Sequence, residues 1–394
     1  MTGVDKHLIL DEKSYQWSNE IPLDSWTLSS DENEGLLNLL FHVSGLSLDL
    51  NPPKQFVESI RSIYPDGSIP WKHVLPRHVH QAFLKRLIND VRKAWDESTV
   101  KYFKEFWKPI ESLHAGLQRA KISKKKLEDH KKADSNAIID SFLPDEDGFA
   151  RPIVYNRFAS RTGRLGVKSG PMILNLKKSM RDVIESSYGE NGSIVQLDFN
   201  ALEARIILYE AGKSAINDLY STVASEAMPN SQLLRSTAKA CIISELYGIS
   251  QKKLAEKLGV STAEASRFMN AIRRYFATPQ LIEKLRGIYD KEKCIYNKFG
   301  RRLFIPDDSA STLLNTYAQS TGADAAQLGF LNVVNDLRQT SNRVKPLFVL
   351  HDALILDVHD DDMKTIENIK EVTVPGYEQK FPLKCEKFYT SSTP

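Results

Sequence analysis

Two acids close apolar runs that lie far apart in the chain. Asp198 follows Ser193-Ile194-Val195-Gln196-Leu197, and Asp352 follows Phe348-Val349-Leu350-His351. Between them, Arg235 and Lys239 stand four residues apart, a spacing that puts both on one helical face. Ile243 and Tyr247 continue that face, and Gly248 after Tyr247 would let another backbone approach closely. Alone, either acid reads most simply as a turn residue or helix cap, and the helix as a surface helix with snorkelling cations. Together they allow more. Two carboxylates brought side by side repel unless a divalent cation bridges them. Magnesium suits such a pair, because it accepts a few carboxylates and completes its shell with water and phosphate oxygens. Carboxylates for metal and cations for a triphosphate are the requirements of phosphoryl transfer.

These residues need elements to hold them. The apolar run predicts a strand over Ser193–Phe199 ending in its acid, then a helix over Leu202–Ala211 with Gly212 as C-cap. Helical periodicity dominates 231–290 and returns over 312–338. Short strands are expected at Cys294–Phe299 and Arg302–Ile305. Lys345–Val358 is an apolar run broken at His351-Asp352, which predicts a hairpin with that pair at its tip. Pro144–Gly148 reads as a turn, Asn51-Pro52-Pro53 as a break and His7–Leu10 as a short strand. From about 78 to 133 the pattern is helical (Phe83, Leu87, Ile88, Val91, Trp95), basic and aromatic, ending in Lys124-Lys125-Lys126 and Lys131-Lys132. It is either a solvated cationic face or a grip on a phosphate backbone. The fold class expected is mixed α+β, with a mostly helical insertion between the two acid-bearing strands.

Composition sets few further bounds. The 394 residues are 41% hydrophobic and 26% charged, with 53 Lys and Arg against 50 Asp and Glu, a net charge of +3. Such a chain has room for two or three globular domains, and any basic surface must be local. Cys241, Cys294 and Cys385 have no metal-ligand spacing, so a zinc site or disulfide framework is not expected. Neither a membrane span nor a signal peptide is legible, and a cytoplasmic setting is expected.

The blocks around Asp198, Arg235 and Asp352 resemble motifs A, B and C of the family A DNA polymerases. Asp198, Glu203 and Arg205 match the first, Arg235, Lys239, Tyr247 and Gly248 the second, and His351-Asp352 the third. Thr162-Gly163-Arg164-Leu165 with Asn175, Asp218-Leu219-Tyr220, Phe299-Gly300-Arg301-Arg302, and Asn315 and Gln319 before Thr321-Gly322-Ala323-Asp324 resemble further family segments, in the family's order. The likeness covers roughly residues 140 to 362.

The resemblance implies a right-hand fold with an antiparallel palm sheet and mostly helical fingers and thumb. The expected division is an N-terminal segment of unclear role (1–52), a thumb-like region (53–150), palm (151–212), fingers (213–294) and palm again (295–394). It implies two Mg2+ ions, replaceable by Mn2+, on Asp198, Asp352 and the carbonyl of Phe199. Arg235 and Lys239 would bind the triphosphate of a dNTP, with Lys239 as general acid. Glu203 would exclude the 2′-hydroxyl, Ile243 would line the nucleotide site and Tyr247 would close over the templating position. Arg164, Asn175, Gly248, Asn315, Gln319 and His351 would meet primer-template DNA.

Three positions depart from the family pattern. Ile243 stands where a Phe or Tyr is usual, Ala353 where a Glu is usual, and Val349 where a Gln is common. About fifty N-terminal residues, with Asp11-Glu12 adjacent, do not suggest a proofreading nuclease, so no exonuclease is expected; a viral or mobile-element origin is, with a separate proofreading or processivity subunit. Two other readings stay open. A single-subunit RNA polymerase shares the acids and the cationic helix, but Glu203 opposes it. Leu254–Ser266 reads on its own as the helix-turn-helix of a DNA-binding regulator, although its place directly after motif B matches the fingers.

Overall fold

The computed structural model describes residues 97–389 apart from 134–135, 215–217 and 228–233, together with 7–10, 15–18, 26–27, 54–63 and a few single positions between 76 and 89. The chain forms two compact units, Met1–Tyr102 and Phe103–Pro394. In the first, His7–Leu10 is the expected strand and pairs antiparallel with Tyr15–Ser18 and Trp26–Thr27; a helix spans Lys54–Ile63. Asp11, Glu12, the Asn51–Pro53 break and the apolar series Phe83, Leu87, Ile88, Val91 and Trp95 lie outside the described residues.

The second unit is built on five strands: β1 (Gly192–Phe199), β2 (Val344–Leu350), β3 (Ala353–His359), β4 (Glu371–Val372) and β5 (Phe381–Lys387). They form one antiparallel sheet in the order β2-β3-β1-β5-β4. Alternation along β1 sorts its side chains: Val195, Leu197 and Phe199 are buried, while Gln196 and Asp198 share the opposite, partly open face. Phe199 packs against Phe330, with ring centroids 5.1 Å apart. Phe330 belongs to a helix of 31 residues, Ala310–Thr340. On the other face, Ala353, Ile355 and Ile194 join a second core with Ile122, Phe142, Ile173 and Val183. The strand carrying Asp198 is thus held between two apolar layers.

The described helices of eight residues or more in this unit are, in chain order, α1 (Lys108–Ala115), α2 (Lys124–Ala133), α3 (Leu202–Glu210), α4 (Leu219–Ala227), α5 (Arg235–Tyr247), α6 (Gln251–Leu258), α7 (Thr262–Tyr275), α8 (Thr278–Glu292) and α9, the long Ala310–Thr340. Helix α3 ends as expected, with Gly212 at φ 69° just beyond it. The strands expected at Cys294–Phe299 and Arg302–Ile305 shrink to Ile295–Tyr296 and Arg302–Leu303, because the side chain of Asn297 takes over the turn. Its Oδ1 accepts from the backbone N–H groups of Phe299 (3.0 Å) and Arg301 (2.9 Å). The helix-turn-helix-like segment is α6, a left-handed Gly259 and α7, whose N-cap is Ser261. The second helix buries Ala265, Phe268, Met269 and Ile272. The basic tract 121–132 is partly neutralised within the fold: Lys131 lies 2.6 Å from Asp140, Lys121 lies 3.5 Å from Glu185, and Lys126 lies 3.9 Å from Asp182. Among the described residues no helix is long and apolar enough to cross a membrane.

Candidate active site

Asp198 and Asp352 come together through the register of the sheet. Asp198 pairs with Ala353, the residue after Asp352, and the N–H of Phe199 donates to the carbonyl of Asp352 at 2.9 Å. The β2–β3 connection is a two-residue loop, His351-Asp352, between the paired Leu350 and Ala353. A tight reversal of this kind requires a left-handed residue, and His351 supplies it at φ 48°. Edge strand β2 is fixed by Tyr155, whose hydroxyl donates to the carbonyl of Val349 and accepts from its N–H, both at 2.9 Å. One phenol thereby does the work of a missing ladder partner two residues before the loop.

Electrostatics at the acids follow from this geometry. Burial first, then the neighbouring Asp352 and Glu386, push the Asp198 carboxyl up to about 6, against relief from Lys384 and Lys178. Desolvation by surrounding protein raises Asp352 as well. Lys384 is directly cross-strand from Asp198, and Glu386 is opposite Gln196, whose amide it accepts at 3.2 Å. These β5 residues escaped the sequence reading; the alternation of Phe381–Lys387 was the signal that could have found them.

Beside Asp352 opens a cavity of about 320 Å³, which Asp198, Arg235 and Lys239 do not line. Arg164, Glu203, Tyr220, Ile243, Tyr247, His351 and Asp352 contribute to its wall. Glu203, in the first turn of α3, holds two of them: Arg164 Nη2 donates to Oε1 at 2.6 Å, and the Tyr247 hydroxyl donates to Oε2 at 2.5 Å. Burial, followed by the Glu203 carboxylate, raises the Tyr247 phenol and keeps it a donor. Arg164 is seated by its neighbour Gly163, at φ 82°, where a Cβ would come within 2.7 Å of the Arg301 guanidinium. Arg301 is in turn paired with Asp324 of α9 at 2.6 Å, both fully buried.

Helix α5 carries Arg235, Lys239, Ile243 and Tyr247 along one side and ends at Gly248, left-handed at φ 67°. The N–H of Ile249 returns to the carbonyl of Ser244 at 2.8 Å, closing the helix. A Cβ on Gly248 would lie 2.6 Å from that of Ser311, so the position admits little beyond glycine. Arg235 and Lys239 are exposed and stand over the ring of Tyr220, at 5.3 and 5.6 Å from its centroid. Not every expected residue lines the cavity. Gly248 borders a separate hollow with Ser311 and Arg273. Asn315 and Gln319 are half-buried on α9, and exposed Asn175 ends the short helix Ile173–Asn175.

The family model for DNA polymerase family A matches residues 139–392. The chain belongs to DNA polymerase family A. Among its relatives, the thermostable DNA polymerase I of Thermus caldophilus is 27% identical over 265 residues, 59% of this chain and 31% of that protein. DNA polymerase I of Bacillus caldotenax is 24% identical over 274 residues, 61% and 30% of the two chains. The chain therefore spans about a third of the length of the curated relatives it matches. A solved structure, the POL domain of Pol1 from M. smegmatis in complex with DNA primer-template and dNTP, superposes with a TM-score of 0.48 at 19% identity, covering 90% of this chain and 63% of that one.

Proposed function

We propose that the chain catalyses template-directed DNA synthesis, adding deoxynucleoside triphosphates to a primer 3′-hydroxyl with release of pyrophosphate. The observation that carries this reading is the sheet register that brings Asp198 next to the Asp352 turn, with Asp352 lining a cavity walled also by Glu203 and by Ile243 and Tyr247 of α5. Primer extension by the purified chain tests it. Palm, fingers and thumb are read onto 151–212 with 295–394, 213–294 and 53–150.

The donor set fits divalent metal. Among the described residues no three His, Cys, Asp or Glu cluster into a metal cage. Two oxygen ligands with substrate and water completing the shell are what Mg2+ accepts; burial first, and for Asp198 then the nearby Asp352 and Glu386, disfavours the bare carboxylates, and a bound cation would offset that cost. Asp198, Asp352 and the carbonyl of Phe199 would hold two Mg2+ ions, or Mn2+ in their place. Bound there, the ions supply Lewis acidity for the attacking oxygen and neutralise charge on the leaving group. The primer oxygen forms the new bond to the α-phosphorus as the bond to pyrophosphate breaks. Arg235 and Lys239 bind the triphosphate, and Lys239 gives a proton to the departing pyrophosphate. Arg164, His351, Asn175, Asn315, Gln319 and Gly248 meet the primer-template, and Tyr247 closes over the templating position. A separate proofreading or processivity subunit remains part of this proposal.

Glu203 sets the choice of sugar. Its carboxylate, fixed by Arg164 and Tyr247, occupies the space a 2′-hydroxyl needs. Glu203→Ala is expected to raise incorporation of ribonucleotides relative to deoxynucleotides by roughly tenfold or more, read as the ratio of kcat/KM values; an unchanged ratio removes Glu203 from sugar selection. Ile243 sets a second preference, since an aliphatic chain cannot stack as a ring does. Ile243→Tyr is expected to improve use of dideoxynucleotides by about threefold to tenfold, measured by chain-termination frequency, and equal termination by variant and parent contradicts this.

A further inference from the structure

We infer that Asp218 is an anionic latch on Arg235: it holds the guanidinium that a nucleotide's triphosphate is to take, and so sets the affinity for nucleotide. The inference rests on the reading of α5 as the triphosphate-binding helix. Arg235 Nε donates to Asp218 Oδ2 at 2.8 Å and Nη2 to Oδ1 at 2.9 Å, a two-pronged grip that uses one edge of the guanidinium. The carboxylate is itself anchored. Its Oδ2 also accepts from the Ser221 N–H at 2.9 Å and the Ser221 hydroxyl at 2.7 Å, in the first turn of α4. Tyr220, next in that turn, presents its ring to both Arg235 and Lys239 and also lines the cavity.

The reason for a latch lies in α5. Its N-terminus has no side-chain cap, and its first turn brings Arg235 to the positive end of the helix dipole, with Lys239 one turn on along the same face. That arrangement calls for an anion. Asp218 supplies one without nucleotide, and a triphosphate replaces it when bound. The Arg235 side chain remains 55% exposed, so a ligand arriving from solvent can reach it. Binding is then an exchange of one anion for another, and each nucleotide must displace the carboxylate.

Asp218→Asn tests this, because asparagine keeps the oxygen that caps α4 and loses the charge. With the purified chain, primer-template, Mg2+ and single-turnover kinetics, the variant is expected to bind dNTP roughly twofold to fivefold more tightly than the parent, the scale of an exposed ion pair. In an Arg235→Ala background the same change is expected to do nothing, since the latch then has nothing to hold. Equal or weaker dNTP binding by Asp218→Asn overturns the inference and makes Asp218 a residue that merely aims Arg235. An equal gain in the Arg235→Ala background overturns it too. A parent that neither binds dNTP nor extends a primer refutes instead the polymerase reading on which the latch depends.

Discussion

Asp198→Asn is expected to lower primer extension by at least roughly 10³-fold, the scale of several kcal/mol of metal-ion stabilisation, while making the metal-free protein harder to unfold at neutral pH. The two effects have one cause. In the folded chain the Asp198 carboxyl titrates near 6, well above its ordinary 3.8, through burial and then through Asp352 and Glu386. A raised carboxyl pKa means that the folded state holds a proton the unfolded state has released between those two values. Stability is therefore lost as pH rises from about 4 to about 6 and stays lost above. Asparagine carries no charge and removes that cost. Thermal unfolding in chelator should show the variant above the parent at pH 8 and the two converging near pH 4. Added Mg2+ should raise the parent's midpoint and move the variant's less. A variant that is inactive and also less stable at pH 8 would mean that Asp198 serves the fold rather than the metal.

The second large effect is on folding. Asp324→Asn is expected to destabilise the chain by about 3–5 kcal/mol, the cost of removing one partner of a buried ion pair. The Arg301 side chain is fully buried; its Nε and Nη2 donate to the two Asp324 oxygens at 3.1 and 2.6 Å. Asn297 Nδ2 donates to the same carboxylate at 2.7 Å while its Oδ1 shapes the turn at Phe299–Arg301. The guanidinium also lies under Gly163, the seat of Arg164. Loss of the carboxylate thus loosens the turn, α9 and the arginine that grips Glu203. Denaturant unfolding measures the cost. Lys380→Ala, which breaks an exposed pair with Glu371, is the contrast and is expected to change little. Similar small losses for both would show that the buried network is dispensable.

What could be read from the chain, and what could not, follows from the range of each interaction. Local patterns were legible: the apolar run into Asp198, the break at His351-Asp352, the cationic face of α5 and the glycine closing α3 all appear where spacing placed them. The likeness to the DNA polymerase A family was legible too, and the family match over residues 139–392 bears out that likeness. Partners distant in sequence were not legible. Nothing local ties Tyr155 to the backbone of Val349, 194 residues on, or sets Lys384 across from Asp198. The short strands near residue 300 were overestimated because the Asn297 side chain, not a ladder, organises that turn. For the basic tract, read as a solvated face or a phosphate grip, the acid partners Asp140, Asp182 and Glu185 were not legible because they come from other elements.

We propose Asp198, Asp352 and Glu203 as one site for DNA synthesis. The most direct test is extension of a labelled DNA primer on a DNA template by the purified chain, with Mg2+ and either dNTPs or rNTPs. Stepwise, template-matched extension is expected with dNTPs, little with rNTPs, and none after chelation. Extension that survives chelation, or that proceeds as readily with rNTPs, would contradict it, as would duplex binding with no extension.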